Sequence, residues 1–178
     1  MKVNVGVVMR IDYLCKKFML PNGKTVDILD TVFIEIGKWL QIDAALPESG
    51  GFILGYKHLE TGNITLENIT TPHEKDVRNR IRFFIKDIFH FNFLESAKRR
   101  NSYYMGVWHT HPQVIPSPSS IDYIDWNETL LHDRTACDYA FFIIAGTEEI
   151  RIWVGDFKTR KIEEIFECPK EGGLYQYT

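Results

Sequence analysis

Two histidines separated by one residue, His109 and His111, close an apolar run and lead through a proline-rich segment to Ser119-Ser120-Ile121-Asp122. No other block constrains the fold as tightly. Tyr103, Tyr104, Met105 and Val107 make the stretch from Ser102 to Trp108 read as a strand. Side chains at i and i+2 of a strand share a face, so His109 and His111 point the same way from a stiff platform. Pro112, Pro116 and Pro118 then impose a loop that cannot donate to a sheet ladder. Ser119 or Ser120 suits a helix N-cap, with Asp122 in the first turn. The pattern therefore asks for a strand, a loop and a helix that bring two imidazoles and a carboxylate together. These are ligand types that zinc takes, and three protein ligands leave a fourth position for water.

Neither half of the pattern is sufficient alone. An isolated pair of histidines is a weak metal signal, and Ser119 to Asp122 is also an ordinary capping box. The segment Pro47-Glu48-Ser49-Gly50-Gly51 strengthens the joint reading, because Glu48 could handle the protons of an activated water. A loop entering a strand can hang a carboxylate over a metal, and Gly50 and Gly51 would let a substrate backbone approach closely. Glu35 is the other nearby candidate. It lies in an amphipathic run with Val32, Ile36, Trp39 and Leu40 on one face, which turns Glu35 to solvent.

Glu48, then His109-Thr110-His111-Pro112, the seven residues Pro112 to Pro118, and Ser119-x-x-Asp122 resemble the JAMM motif of the JAB/MPN metalloproteases. Pro47 to Gly55 is similar to that family's glutamate segment, and Gly106 to Pro112 to its histidine strand. All five functional positions are filled, and the resemblance spans about Glu48 to Gly155. It implies that His109, His111 and Asp122 hold Zn2+, with a water in the fourth site whose pKa falls toward about 7. It implies that Glu48 takes the water's proton and returns it to the leaving amine, and that the Ser119 hydroxyl donates to the oxyanion.

The resemblance further implies a zinc isopeptidase or peptidase that cuts after the C-terminus of a ubiquitin-like or similarly conjugated protein. It is most similar to the deconjugating peptidases encoded beside E1/E2-like proteins in CBASS-type antiphage operons. There the substrate would be a flexible tail joining a nucleotidyltransferase to a target. Related JAB proteins trim sulfur-carrier precursors instead, and the motif does not separate the two. A non-catalytic MPN-like scaffold would predict damaged ligands, and a purely structural zinc site a fourth protein ligand. Two histidines and one carboxylate in a hydrolase setting favour zinc over iron or manganese.

At 178 residues the chain has the length of a single domain, here expected to run from 1 to 178. A formal net charge of -3 gives no footing for general nucleic-acid binding. No apolar run reaches the length of a membrane span, and Met1 to Gly6 carries no secretory signal, so a cytoplasmic protein is expected. Cys15, Cys137 and Cys168 are scattered, with no C-x-x-C, and read as reduced thiols buried as small apolar groups.

The remaining elements alternate without a linker. Leu14 to Leu20 and Thr25 to Leu29 form a hairpin over Pro21-Asn22-Gly23-Lys24. Asp30 or Thr31 caps a helix to about Gln41. Gly51 to Leu59 and Asn63 to Thr70 make a second hairpin, Arg80 to Ile85 a strand, and Ile88 to Arg100 a helix with Phe89, Phe93 and Ala97 at i+4 spacing. Tyr139 to Ala145, Ile150 to Phe157 and Lys161 to Phe166 read as closing strands. The expected fold is mixed α/β, a JAB/MPN-like domain with a curved central sheet flanked by helices. Thr71 to Arg100 would form a lip over the groove, where an extended tail could add as a strand. The basic clusters Arg78 to Arg82 and Lys98 to Arg100 read first as a solvated face, and alternatively as a surface for an acidic patch on a protein substrate, where charge would chiefly raise the on-rate. His58, His73, His90 and His132 lack ligand spacing and read as structural or exposed.

Overall fold

The apolar runs of the chain are laid side by side in one strongly curved sheet. The computed structural model describes residues 15–169, so Leu14 and the stretch from Met1 to Gly6 lie outside the described residues. The strands are β1 (Cys15–Met19), β2 (Thr25–Leu29), β3 (Gly50–Lys57), β4 (Ile64–Ile69), β5 (Val77–Asn79), β6 (Arg82–Phe84), β7 (Tyr103–Thr110), β8 (Tyr139–Ala145), β9 (Ile150–Asp156) and β10 (Ile162–Ile165). The helices are α1 (Asp30–Gly37), α2 (Ile88–Lys98) and α3 (Ser120–His132). Eight strands form the main sheet in the order β1-β2-β4-β3-β7-β8-β9-β10, and β5 and β6 form a separate hairpin. Its ends nearly meet. Phe18 bridges to Glu167, the Met19 N–H donates to the Phe166 carbonyl at 3.2 Å, and the Cys168 N–H donates to the Lys17 carbonyl at 2.7 Å.

β7 and β8 run parallel, which requires the crossover that α3 supplies. β8 is buried on both faces, which explains its unbroken apolar sequence. Phe141 and Ile143 face the larger core with Val32 and Ile36 of α1, whereas Phe142 and Ile144 pack with Trp126 and Leu130 of α3. The Trp126 ring stacks on Phe142 at 4.6 Å. This second core holds α3 against the sheet and so fixes where its first turn lies.

Several local expectations are corrected. α1 stops at Gly37 rather than near Gln41, because glycine is a poor helix former, and Trp39 and Leu40 cover the core from the turn that follows. Its N-cap is Leu29, with no side-chain cap. The single strand expected over Arg80 to Ile85 is a hairpin, with Arg80 and Ile81 at its exposed turn. α2 ends at Lys98 and buries His90 and Ala97 rather than the Phe89–Phe93 stripe. None of the three cysteines is buried; Cys15 is exposed and the other two are half-buried.

β7 carries a bulge. Ile53 faces Gly106 and Leu54 faces Tyr104, which leaves Met105 unpaired. Gly106 has φ +149°, and a Cβ there would stand 1.9 Å from the Phe141 carbonyl oxygen. Gly106→Ala is therefore expected to cost at least about 3 kcal/mol, because backbone must move away from backbone. Denaturant unfolding measures this, and a loss below about 1 kcal/mol would show that β7 and β8 separate freely at this point.

Candidate metal centre

His109 is the penultimate residue of β7, and His111 continues the same line by donating its N–H to the Ala145 carbonyl at 2.9 Å. Both imidazoles leave one face of the sheet, as the period of a strand requires. α3 begins beside them. Ser119 and Asp122 form a reciprocal capping box, in which the Ser119 N–H donates to Asp122 Oδ2 at 2.6 Å and the Asp122 N–H donates to Ser119 Oγ at 3.2 Å. The cap thus aims the carboxylate at the histidines.

Among the described residues, His109, His111 and Asp122 form the one group of side chains that converge as metal ligands. His109 Nε2 stands 3.1 Å from His111 Nε2 and 3.0 Å from Asp122 Oδ1, and His111 Nε2 stands 3.5 Å from Asp122 Oδ2. Ligand atoms around a tetrahedral cation with bonds of about 2.0–2.2 Å are about 3.3–3.6 Å apart, so the triangle fits one with little adjustment. The His111 ring lies with Nδ1 3.2 Å from Gln113 Oε1, an acceptor for the Nδ1–H that would leave the Nε2 lone pair for a metal.

Burial alone would raise the Asp122 pKa. The hydrogen bond and charge of His109, with the Ser119 N–H, more than offset this and hold the carboxyl well below the usual carboxylate range. Glu48 goes the other way. It is 7% exposed, and burial pushes its carboxyl up to about 7, against the pull of His109 and with the help of the Asp122 charge. A carboxyl with that pKa can both take and return a proton near neutral pH. Ser119 is exposed, and its hydroxyl oxygen accepts in the cap, which leaves its proton free to be donated.

Glu48 and two of the three converging side chains, His109 and Asp122, line a groove of about 200 Å³. Ile81 to Ile85 of the β5–β6 hairpin form one wall, and Ile121, Asp125 and Trp126 of α3 the other. Arg82 Nη2 reaches across to Asp125 at 3.2 Å, so the basic cluster is not simply a solvated face. The lip expected between Thr71 and Arg100 is this hairpin. Beneath it, buried His90 has Nε2 2.7 Å from Asp76 and Nδ1 2.6 Å from Thr70 Oγ1, while the Trp108 indole donates to the Thr70 carbonyl at 2.8 Å.

The two glycines after Glu48 do not leave room for a substrate. A Cβ at Gly50 would meet the Trp108 carbonyl at 2.6 Å and the Phe83 ring at 2.7 Å, and one at Gly51 the Thr70 carbonyl at 2.1 Å. They allow β4, β7 and the hairpin to close around β3.

Sequence reasoning missed three supporting side chains. Thr110 points opposite to its histidine neighbours. Its hydroxyl accepts from the Ser49 N–H at 3.0 Å and donates to Gln41 Oε1 at 3.0 Å. Arg78 binds the Glu48 carbonyl and the Ser49 hydroxyl. The strand period predicts the direction of Thr110, but no local signal joins Gln41 or Arg78 to the site.

Residues 39–155 match the family described as prokaryotic homologs of the JAB domain. Two proteins named CD-NTase/cGAS isopeptidase are similar over most of their length. That of Escherichia coli (strain TW11681) is 29% identical over 73% of this chain and 80% of its own. That of Vibrio cholerae serotype O1 is 26% identical over 80% of this chain and 87% of its own. A protein of the same name from Pseudomonas aeruginosa is 32% identical over 45% of this chain and 51% of its own. The solution structure of protein DSY2949 from Desulfitobacterium hafniense shares the fold, with a TM-score of 0.55 at 15% identity over 77% of this chain and 87% of that one. The match over residues 39–155 covers well over half of the chain, which therefore belongs to the prokaryotic JAB-domain family.

Proposed function

We propose that this protein is a zinc-dependent isopeptidase that releases the C-terminus of a CD-NTase-type nucleotidyltransferase from its conjugated target, in CBASS-type antiphage defence. The observation that carries the reading is the convergence of His109, His111 and Asp122 at 3.0–3.5 Å beside buried Glu48. Similarity to isopeptidases of that name supports the choice of substrate.

Held by these three residues, zinc would supply Lewis-acid polarisation of the scissile carbonyl and acidify the attacking water. Glu48 accepts the proton of that water and passes it to the departing lysine amine, so the amide C–N bond is exchanged for a carboxylate and an amine. The Ser119 O–H donates to the carbonyl oxygen as negative charge develops there. The hairpin wall suits an extended chain. β6 pairs only with β5 among the described residues, which leaves its other edge for a tail to join by backbone hydrogen bonds. E1/E2-like partners would make the conjugate that this protein removes. No helix among the described residues is long and apolar enough to cross a membrane.

The test pairs metal analysis with cleavage of a CD-NTase carrying green fluorescent protein at its C-terminus. One zinc per chain and release of the CD-NTase at its natural terminus are expected. Cutting of a sulfur-carrier precursor but not of this fusion would redirect the reading to precursor processing. A chain that binds no zinc and cuts neither would be a scaffold. Ser119→Ala should lower turnover by roughly 10²-fold at unchanged zinc content, the scale of losing one oxyanion donor. Unchanged turnover would remove Ser119 from the chemistry.

A further inference from the structure

Glu48 lies two residues before β3 begins, so strand pairing does not hold its backbone. The β5–β6 hairpin does. The Glu48 N–H donates to the Asn79 carbonyl at 2.8 Å, and Arg78 Nε donates to the Glu48 carbonyl at 2.9 Å. Arg78 Nη2 also donates to Ser49 Oγ at 2.6 Å, and its guanidinium lies 5.5 Å from the centre of the Trp39 ring. Both backbone polar groups of Glu48 are thus engaged by successive residues of one strand. The same hairpin walls the groove and reaches Asp125 through Arg82.

We infer that Arg78 is a positioning residue for the Glu48 carboxylate and makes the groove-lining hairpin part of the proton-transfer apparatus. The inference rests on the role proposed above for Glu48. Rotation of the 48–49 peptide swings the Glu48 side chain, and a displacement of about 1 Å can cost roughly 10²-fold in rate. The two nitrogens of the guanidinium fork hold the carbonyl and the hydroxyl together. A lysine ammonium on a flexible stem cannot span both with the same rigidity.

Steady-state cleavage of the CD-NTase fusion by Arg78→Ala, Arg78→Lys, Glu48→Gln and Glu48→Gln/Arg78→Ala tests this. Arg78→Ala should lose roughly 30- to 100-fold in kcat, with KM within about two-fold and zinc content unchanged. Arg78→Lys should restore the melting temperature but not kcat. In the Glu48→Gln background, removal of Arg78 should change the residual rate by less than about two-fold, because the group it positions is gone. A merely structural arginine would depress both backgrounds alike, and that result would overturn the inference, as would wild-type kcat in Arg78→Ala. Should Arg78→Ala fail to fold, Ser49→Ala removes one arm of the fork and is expected to lower kcat several-fold; no change would again overturn it. Wild-type cleavage by Glu48→Gln alone would bring down the role of Glu48 itself, a failure distinct from the others.

Discussion

Glu48→Gln is expected to lose about 10²- to 10⁴-fold in turnover while retaining zinc, the range for removal of a general acid–base group. The same substitution should make the metal-stripped protein more stable. Burial raises the Glu48 carboxyl from 4.5 to about 7, so between those values the folded state holds a proton that the unfolded chain has released. Stability from this group is fully present below pH 4.5 and declines as pH rises to 7, beyond which the loss is complete. At about 1.4 kcal/mol per pKa unit, the buried charge costs up to about 3 kcal/mol at pH 8. Neutral glutamine avoids this. Thermal melts of the metal-stripped proteins should separate by roughly 5–10 °C at pH 8 and by much less at pH 5. An equal separation at both pH values would mean that shape rather than charge distinguishes the variants. Loss of zinc from Glu48→Gln would instead make Glu48 a ligand.

Asp122→Ala should reduce zinc from one per chain to a trace and cleavage to background. It removes a proposed ligand and, at the same time, the carboxylate that accepts from the Ser119 N–H in the capping box of α3, so about 0.5–2 kcal/mol of stability should go as well. Asp122→Asn separates these effects. Its amide oxygen can still accept from the Ser119 N–H, but it carries no charge for a cation. Asparagine should therefore keep most of the stability of α3 and still lose zinc. Retention of zinc by both variants would sink the ligand assignment. Equal melting temperatures for the two would deny the cap a role. Because the Asp122 carboxyl is held below its ordinary value of 3.8, its electrostatic contribution is present above that pH and declines as pH falls below it.

The parts of the site that can be read from the sequence are those set by local geometry. The i, i+2 spacing of His109 and His111 fixes their common face once a strand is inferred, and Ser119-x-x-Asp122 writes its own capping box. The apolar run of β8 likewise announces a strand buried on both faces. What was illegible depends on distant contacts. Gly50 and Gly51 look like room for a ligand until Phe83 and the Thr70 carbonyl are found against them. The span from Val77 to Phe84 holds two strands of three residues each, too short for a periodic signal. His90 looks like a polar intrusion on an aromatic helix, and only Asp76 and Thr70, 14 and 20 residues away, make its burial affordable.

The seam between the ends of the sheet has a kinetic corollary. It joins Lys17 to Cys168 and Phe18 to Glu167, residues about 150 positions apart in the chain. During synthesis at roughly 5–20 residues per second, β1 and β2 emerge many seconds before the segment that covers their outer edge. For that interval β1 presents unpaired backbone, the kind of edge that recruits other chains. Lys16 and Lys17 lie on this strand, and their charges would discourage such pairing until Phe166 to Cys168 arrive. Completion of the sheet is thus a late event of high contact order, and the seam is where a slow phase of refolding would be sought.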